Sequence, residues 1–216
     1  MTVYWTIAAI AYLLGSIPFG YLLVWAFRKE DIRQRGSGNI GATNVLRSGS
    51  RWLGLLTLLL DVGKGCTAVV LARYFIGQHP NSGGDAGHAA VIAAIFAVFG
   101  HVFPIWLHGK GGKGVATAFG VFVALAPLSA LSAMGMFFVI FALTRYVSLA
   151  SILSSASFPV FVWLWGRVFP LSSWSLWLLT SAILVPALIV VKHASNIRRL
   201  LHGTEDRFGS KKETRA

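Results

Sequence analysis

Residues 109–114 (GKGGKG) form a glycine- and lysine-rich segment between two apolar runs. Glycine tolerates backbone conformations that direct successive N–H groups into one concavity, and such a concavity binds anions. The lysines add positive charge, and the apolar run that begins at Val115 can start a helix whose positive end faces the same point. This pattern indicates a phosphate site at a membrane surface, and a flexible basic turn between two spans is the alternative. The predicted phosphate-binding residues are Lys110, Gly111, Gly112, Lys113 and Gly114.

Residues 36–44 (GSGNIGATN) form a second polar segment, with three glycines, two asparagines and no acidic residue. The G-x-G-x-x-G spacing occurs in dinucleotide-binding folds, but no strand precedes it here, and the acid about 20 residues later, Asp61, lies inside an apolar run. The dinucleotide interpretation is therefore disfavoured. Arg47 can bind a phosphate through two N–H groups, so we predict an anion site in place of a simple polar loop. Its predicted residues are Ser37, Gly38, Asn39, Asn44 and Arg47.

Three ionisable residues, Asp61, Lys64 and His101, lie inside apolar runs. Asp61 and Lys64 are three positions apart, so they share one helix face. Ionisable groups inside a membrane span are costly and usually pair or line a polar site. A structural ion pair is the favoured interpretation, and the alternatives are a substrate contact by Lys64 and a proton or ion pathway. His101 is interpreted first as a packed, hydrogen-bonded residue and second as a catalytic one.

Two further polar groups lie at the ends of apolar runs. Ser148 and Ser151 share a helix face, where serines commonly bond back to the helix but can also donate to a phosphate or a carbonyl. His193 and Asn196 have the same spacing where the last apolar run ends. Anchoring at the membrane surface explains the neighbouring basic residues, but it does not explain a matched histidine and asparagine. Glu205 is available to pair with an arginine and hold the tail.

Several chemistries are excluded by the sequence. Gly114 follows Lys113 where a Walker A loop needs Ser or Thr, and no G-x-S-x-G motif occurs. The His-x-x-x-x-Asp pair of coenzyme-A-dependent glycerolipid acyltransferases is also absent. No carboxylate-rich cluster could hold Mg²⁺ or Zn²⁺, so we expect no metal and no other cofactor, which disfavours a phosphotransferase. Cys66 is the single cysteine, so no disulfide can form within the chain.

The composition indicates an integral membrane protein, because the chain is 56% hydrophobic and has a mean hydropathy of +0.69. No polar stretch is long enough for a second domain, so we expect one domain over residues 1–216. The net charge is +12, which suits either nucleic acid or a membrane protein with anionic substrates. The basic residues flank apolar runs, and no nucleic-acid-binding motif occurs. We therefore predict membrane lipids as partners, no nucleic acid, and no obligate protein partner.

The apolar runs predict an all-α polytopic fold. They cover residues 3–27, 52–76, 88–107, 115–143, 147–165 and 174–191. As one helix, residues 115–143 would be roughly 43 Å long, which exceeds a ~30 Å hydrocarbon core. Pro127 inside this run is expected to break it into two helices, 115–125 and 127–143. The chain then has about seven transmembrane helices, with a re-entrant pair as the alternative for this run.

Charge predicts the orientation of these helices. Basic residues concentrate in residues 28–51 and in the tail from Lys192, whereas residues 77–87 contain none. The positive-inside rule then predicts that the N-terminus lies outside and the C-terminus in the cytoplasm. Residues 28–51, 108–114, 144–148 and the tail would all meet at the cytoplasmic face of the membrane, where they could form one site.

Together these segments resemble a known family. GSGNIGATNVLR at 36–47, GHVFP followed by KGGKGVAT at 100–117, and HASNIRRLLHGTE at 193–205 are similar to the three cytoplasmic motifs of bacterial acyl-phosphate:glycerol-3-phosphate acyltransferases. Matches at residues 60–65 and 145–151 extend the resemblance over nearly the whole chain. It implies a seven-helix fold and acyl transfer from acyl phosphate to the sn-1 hydroxyl of glycerol 3-phosphate, without metal or coenzyme A. The products would be lysophosphatidic acid and inorganic phosphate, in the first step of bacterial phospholipid synthesis.

The resemblance also implies roles for individual residues. Substrate contacts are expected at Ser37, Asn39 and Arg47, and catalytic roles at Lys113, Ser151, His193 and Asn196. As a hypothesis, the amides of residues 111–114 and Lys113 hold the acyl phosphate. Arg47, Ser37 and His193 would hold glycerol 3-phosphate. The hydroxyl proton would pass to the substrate's own phosphate or to His193, because no dedicated base is evident.

A transporter or channel for an anionic metabolite is the rival hypothesis from another functional class. Proline-broken helices and the Asp61–Lys64 pair favour it. Against it, the phosphate-binding groups lie in loops, whereas transporters bind their substrates near the middle of the membrane. No inverted repeat is visible in the sequence either.

Overall fold

The computed structural model describes residues 2–80, 83–169 and 176–209. Within these ranges the chain is helical and contains no strand, as the sequence predicts. The helices are α1 (Thr2–Ser16), α2 (Phe19–Arg28), α3 (Ala42–Arg47), α4 (Arg51–Gln78), α5 (Ala86–Val102), α6 (Val115–Leu125), α7 (Pro127–Thr144), α8 (Val147–Ala156), α9 (Phe158–Val168), α10 (Leu176–Lys192) and α11 (Ala194–Leu201). Short 3-10 turns lie at Ile32–Gln34 and Ile105–Leu107.

Four helical stretches are long and apolar enough to cross a membrane. They are Thr2–Arg28, Arg51–Gln78, Ala86–Leu107 and Pro127–Thr144. The pairs α8–α9 and α10–α11 are bent by 45° and 57°, and they raise the number to six if each pair forms one span. α6 is apolar but has only 11 residues. The described residues thus provide four to six candidate spans, and the count of seven and the orientation stay predictions.

The helix break predicted at Pro127 is confirmed. α6 ends at Leu125, and Pro127 lies in the first turn of α7, where its missing N–H leaves no hydrogen bond unmade. The predicted run 147–165 is instead two helices, α8 and α9, which meet at Ser157. Pro159 follows that junction and cannot donate the backbone hydrogen bond that would continue α8. The predicted last run begins at Trp174, which lies outside the described residues, and its described part is α10.

α5 lies at the centre of the bundle and packs against α1, α4, α6 and α10. Its inner surface consists of small side chains that are completely buried: Ala89, Ala90, Ala93, Ala94 and Ala97. Small residues let helix backbones approach closely, and in lipid this van der Waals packing is a main source of attraction between helices. The core therefore depends on close contact between backbones more than on large interlocking side chains.

Glycine produces the closest approach between α4 and α6. A Cβ atom on Gly65 of α4 would overlap the carbonyl oxygen of Thr117, and one on Gly120 of α6 would overlap the carbonyl oxygen of Val62. These two contacts fix α6 against α4 over most of its short length. Because α6 begins directly after the glycine- and lysine-rich segment, they also fix the position of that segment.

We predict that Gly65→Ala lowers the thermal stability of the protein in detergent, because the added methyl group must displace the α6 backbone. Overpacking of this kind costs about 1–3 kcal/mol. Gly63→Ala is the matched control, since a Cβ atom at Gly63 would meet nothing within 4 Å. Thermal unfolding curves of the two variants should separate clearly. Equal midpoints would show that the α4–α6 contact is not tight.

Candidate active site

The glycine- and lysine-rich segment folds back against the end of α5. The amide of Gly111 donates to the carbonyl oxygen of Val102 at 3.2 Å, and the amide of Gly112 donates to that of His101 at 3.1 Å. Gly114 then adopts a φ of +88°, a conformation that favours glycine, and α6 starts at the next residue. The segment is thus a short connection held by backbone hydrogen bonds between α5 and α6.

These hydrogen bonds correct part of the sequence prediction. The amides of Gly111 and Gly112 were expected to bind a phosphate, but they already donate to carbonyl groups and therefore shape the loop instead. Among the described residues, no acceptor is present for the amides of Lys113, Gly114 and Val115. These donors lie at the N-terminus of α6, where the helix dipole also favours an anion. The amides that remain available to an anion are therefore those of the last two residues of the loop and the first turn of α6.

Lys113 connects the loop to the C-terminal segment through a chain of polar contacts. Its ammonium group donates to Oδ1 of Asn196, and Nδ2 of Asn196 donates to Oε1 of Glu205 at 2.7 Å. The other oxygen of Glu205, Oε2, accepts from Nε of Arg199 at 2.7 Å. Glu205 is buried although it lies in the basic tail, and the expected pairing with an arginine is confirmed. Two residues predicted as catalytic, Lys113 and Asn196, are thus in direct contact.

Burial and neighbouring charges shift the pKa values of Lys113 and Glu205. Desolvation lowers the pKa of Lys113 to about 8, against the opposing effect of Glu205, and Arg199 and Arg47 lower it further. Burial alone would raise the pKa of Glu205, but Ser148, Asn196 and Arg199 together bring it below its usual value. Oγ of Ser148 faces this carboxylate without meeting hydrogen-bond geometry. Glu205 therefore stays ionised, and Lys113 is charged at neutral pH.

His193 lies at the junction of α10 and α11 and is buried. Its Nδ1 atom is 2.8 Å from the carbonyl oxygen of Ile189. A carbonyl oxygen can only accept, so Nδ1 carries the proton and donates, and Nε2 of the neutral ring keeps its lone pair. The charge of Lys113 acts directly on this ring. Burial and the charge of Lys113 lower the pKa of His193 to about 4, so the ring is neutral at neutral pH and its Nε2 lone pair lies in the same region as Lys113.

Ser151 bonds back to its own helix, which is the first of the two interpretations that the sequence left open for the serines. Its hydroxyl donates to the carbonyl oxygen of Val147 at 2.9 Å, which is the back-bonding geometry of a helical serine. The residue is buried on α8, on the same helix as Ser148. A hydroxyl group that donates in this way still has lone pairs, so Ser151 can only accept a hydrogen bond from a substrate while the back-bond persists.

Asn44 is the organiser of the first polar segment, and this corrects its predicted role as a substrate ligand. Its Oδ1 accepts from the amide of Ser37 at 2.9 Å, and its Nδ2 donates to the carbonyl oxygens of Asn39 and Arg35 at 2.7 and 3.0 Å. The side chain is buried and has no donor to spare for a ligand, because both Nδ2 hydrogens are directed at carbonyl oxygens of the loop. Asn44 therefore stabilises a loop conformation in which other side chains of the segment face outward.

The outward groups of this segment are those of Ser37 and Asn39. Ser37 and Gly38 are exposed, and among the described residues the Ser37 hydroxyl has no hydrogen-bond partner. Oδ1 of Asn39 accepts from the amide of Gly41 at 2.8 Å, and among the described residues its Nδ2 has no hydrogen-bond partner. Ser37, Gly38 and Asn39 thus remain candidates for ligand contacts.

The C-terminal segment connects the predicted polar stretches to each other. Nη2 of Arg47 donates to the carbonyl oxygen of Asp206 at 3.2 Å, one residue after Glu205. The amide of Phe208 then donates to the carbonyl oxygen of Arg145 at 2.9 Å. Residues 203–209 therefore touch α3, the α5–α6 loop through Asn196, and the α7–α8 junction. The convergence of these four stretches, which the sequence predicted, is present in the fold.

Lys110 is a predicted site residue that has no polar contact with the other predicted site residues. Its side chain is exposed and makes no hydrogen bond or ion pair with the described residues. Conversely, Arg199 belongs to the contact chain around Glu205 but was not predicted as a site residue, and Ser148 faces the Glu205 carboxylate. Among the described residues, no group of three or more His, Cys, Asp or Glu side chains could hold a metal ion. The site thus consists of cations, amides, hydroxyls and one imidazole.

Comparison with known proteins supplies an independent description. The sequence model of the family described as glycerol-3-phosphate acyltransferase matches residues 5–203. Glycerol-3-phosphate acyltransferases of Thermosynechococcus vestitus and Agrobacterium fabrum are 43% and 44% identical to this chain over 206 and 207 residues. These alignments cover 94% of this chain and 94% and 91% of the two relatives.

Two solved structures are similar over nearly the whole chain. One is a crystal structure of PlsY (YgiH), an integral membrane glycerol 3-phosphate acyltransferase, in its glycerol 3-phosphate form, with a TM-score of 0.82 and 37% identity. It covers 95% of this chain and 96% of that chain. The other is the lysophosphatidic acid form, with a TM-score of 0.80 and 37% identity, and it covers 95% of both chains.

We predict that the affinity of the Lys113 site for a phosphate monoester declines as the pH rises through about 8. Burial lowers the pKa of Lys113 to about 8, so the ammonium form is complete below pH 7 and is lost above pH 8. The ligand's phosphate is already dianionic there, because phosphate monoesters have a second pKa near 6. Binding should be about tenfold weaker at pH 9 than at pH 7 if only the charged lysine binds.

Isothermal titration calorimetry in detergent between pH 7 and pH 9.5 measures this effect. Lys113→Arg is the matched variant, because a guanidinium group stays protonated over the whole range. Its affinity should change little with pH. A parallel decline in both proteins would assign the titration to another group.

Proposed function

Because this chain belongs to the glycerol-3-phosphate acyltransferase family, we propose that it transfers a fatty acyl group from acyl phosphate to the sn-1 hydroxyl of glycerol 3-phosphate. The protein is an integral membrane acyltransferase of lipid synthesis. The observation that carries the proposal is that two consecutive residues of the tail hold two cationic groups. Glu205 binds Asn196, which in turn binds Lys113, and the carbonyl oxygen of Asp206 binds the side chain of Arg47. Two cationic groups are thereby kept in one region that also contains His193.

The first phosphate site consists of Lys113 and the amides at the start of α6. The ammonium group supplies charge, and the backbone N–H groups of Gly114 and Val115 supply fixed dipoles. Donors that are already oriented need no rearrangement when charge develops during the reaction, and each well-placed donor to an oxyanion contributes roughly 3–4 kcal/mol. This arrangement suits either the departing phosphate of the acyl donor or the phosphate of glycerol 3-phosphate beside the reacting carbonyl.

The second phosphate site consists of Arg47, with the exposed hydroxyl of Ser37 and the amide of Asn39 from the same segment. The Arg47 side chain uses Nη2 to bind the Asp206 carbonyl, which leaves other guanidinium donors for a phosphate. The substrates are two phosphates, so each site would receive one of them. The substrate whose KM rises on removal of Lys113 identifies the occupant of the first site.

The reaction places few demands on the protein, because acyl phosphate is already an activated donor. The oxygen of the sn-1 hydroxyl forms a bond to the acyl carbonyl carbon, and the bond from that carbon to the phosphate oxygen breaks. The hydroxyl proton passes to the departing phosphate or to Nε2 of His193, the nitrogen with the free lone pair. Orientation of the two substrates and stabilisation of the developing negative charge are then the main contributions of the site.

Location of this site at the cytoplasmic face of the inner membrane is part of the proposal, as is a seven-helix arrangement with the N-terminus outside. The concentration of Lys and Arg in residues 28–51 and in the tail supports it. A site at the membrane surface suits one substrate with an acyl chain and another that is water-soluble. The bend of 57° between α10 and α11 supports it too, because it turns the polar face of α11 out of the direction of an apolar span.

We predict that the purified protein in lipid releases inorganic phosphate from palmitoyl phosphate only when glycerol 3-phosphate is present. His193→Gln should lower kcat by about 10²-fold or more, since general-base catalysis typically contributes 10²–10⁴-fold. Lys113→Met should raise the KM for one of the two substrates. Phosphate release is measured colorimetrically, and lysophosphatidic acid is measured by mass spectrometry.

His202→Gln is the matched control for His193→Gln. Nδ1 of His202 also contacts a carbonyl oxygen four residues earlier, that of Arg198 at 2.7 Å, but its ring is exposed. Near-full turnover in His193→Gln would remove this histidine from the mechanism. Flux of glycerol 3-phosphate across vesicles without an acylated product would support the rival transporter hypothesis instead.

We also predict the sidedness of the loops. In a Cys66→Ala background, cysteines introduced at Lys110 and His202 should react with a membrane-impermeant maleimide only after the inner membrane is permeabilised. A cysteine at Asp85 should react in intact spheroplasts. All three positions are exposed in the fold. Labelling of positions 110 and 202 from opposite sides of the membrane would contradict a shared cytoplasmic site.

A further inference from the structure

A buried cluster of ionisable residues lies directly behind the glycine- and lysine-rich loop. Nζ of Lys64 is 2.7 Å from Oδ1 of Asp61, and Nδ1 of His101 is 3.6 Å from the same oxygen. All three side chains are at least nine-tenths buried. None of them takes part in the proposed chemistry, so the cost of burying two charges and an imidazole in an apolar bundle needs another explanation.

The cluster joins three helices. Lys64 of α4 donates to the carbonyl oxygen of Ile17 at 2.8 Å, in the break between α1 and α2, and its ammonium group lies 5.5 Å from the centre of the Phe19 ring. His101 is in the last turn of α5. Lys64 therefore links α4 to the break before α2, and the 3.6 Å contact between Asp61 and His101 brings the end of α5 against the same pair.

His101 contacts the loop in two ways. Its carbonyl oxygen accepts the amide of Gly112, and its imidazole occupies the space that a Cβ atom on Gly112 would need, since that atom would overlap Nε2. Gly112 does not have a positive φ, so its backbone conformation is open to alanine. The imidazole ring is thus the nearest obstacle to a side chain at this position. Lys113 is the next residue, and its place follows from that of Gly112.

We propose that Asp61, Lys64 and His101 are positioning residues for the acyltransferase site: the buried ion pair holds the His101 imidazole against Gly112, and this contact sets the location of Lys113. The inference rests on the proposed function of Lys113 as a phosphate-binding group. A buried ion pair adds little net stability over an apolar pair of similar size. It does impose a specific geometry, which an apolar pair does not, and the position of the loop depends on that geometry.

A double-mutant cycle tests the contact between the ring and the loop. Gly112→Ala alone should lower kcat/KM for phosphate release by about tenfold or more, because the methyl group displaces the loop. In a His101→Ala background the same change should cost less than about threefold, because the space is then open. Coupling of this kind between neighbours appears as non-additivity. Additive losses would overturn the proposal that the imidazole positions the loop.

Removal of the charges tests the rest of the cluster. Asp61→Asn alone leaves Lys64 unpaired and is expected to unfold readily, so the decisive protein is the double variant Asp61→Asn/Lys64→Met, which removes both charges together. We expect a thermal midpoint close to that of the wild type but a KM about tenfold higher. The affected KM should be for the same substrate whose KM rises in Lys113→Met, with a smaller change in kcat.

Thr57→Ala is the control on the same helix. Its side chain is completely buried one turn before Asp61, and its hydroxyl donates only to the carbonyl oxygen of Leu53 at 2.7 Å. This variant should change the thermal midpoint without changing either KM. A stable double variant with wild-type KM values would reduce the cluster to a structural ion pair and overturn the inference. If the wild-type protein itself released no phosphate, the proposed function would fail first, and calorimetric binding of glycerol 3-phosphate would still compare the variants.

Discussion

The contact chain from Lys113 through Asn196 to Glu205 is the interaction on which the arrangement of the site depends. It connects a loop between α5 and α6 to a helix that follows the last apolar span, across 83 positions of sequence. Glu205 is an ionised group in a buried place, and it is tolerable there because Asn196 and Arg199 satisfy both of its oxygens. The same carboxylate partly offsets the effect of burial on Lys113 and so keeps that ammonium group charged at neutral pH. A single buried acid therefore keeps the loop charged and holds the tail in place.

The membrane environment explains why the supporting structure is built from small residues. Lipid offers no hydrophobic gain from burying one apolar helix against another, so close backbone contact supplies the attraction. The alanines of α5 and Gly65 and Gly120 of the α4–α6 pair are the positions at which this happens. Close contact at these positions holds the N-terminus of the short helix α6 in the candidate site, although α6 is too short to be a span of ordinary length.

Breaks between helices interrupt the chain at several positions. Pro127 separates α6 from α7, the Ser157 junction bends α8 against α9, and His193 lies at the 57° bend between α10 and α11. Each break frees backbone groups, which would be costly inside the hydrocarbon region unless they lie at an interface or in a protein cavity. The tail contacts a further junction, the one between α7 and α8, where the amide of Phe208 donates to the carbonyl oxygen of Arg145.

The sequence by itself determined the helical class, the break at Pro127, the pairing of Asp61 with Lys64, and the convergence of the polar stretches. Each of these follows from local periodicity, from proline, or from charge, which act over a few residues or over whole loops. Only the tertiary structure decided which polar groups are available to a ligand. Gly111, Gly112 and Asn44 have the composition of ligand-binding residues, yet their donors are taken by the carbonyl groups of neighbouring segments. A hydrogen-bond donor is assigned by whichever acceptor the fold brings within about 3 Å, and a residue type carries no information about that neighbour.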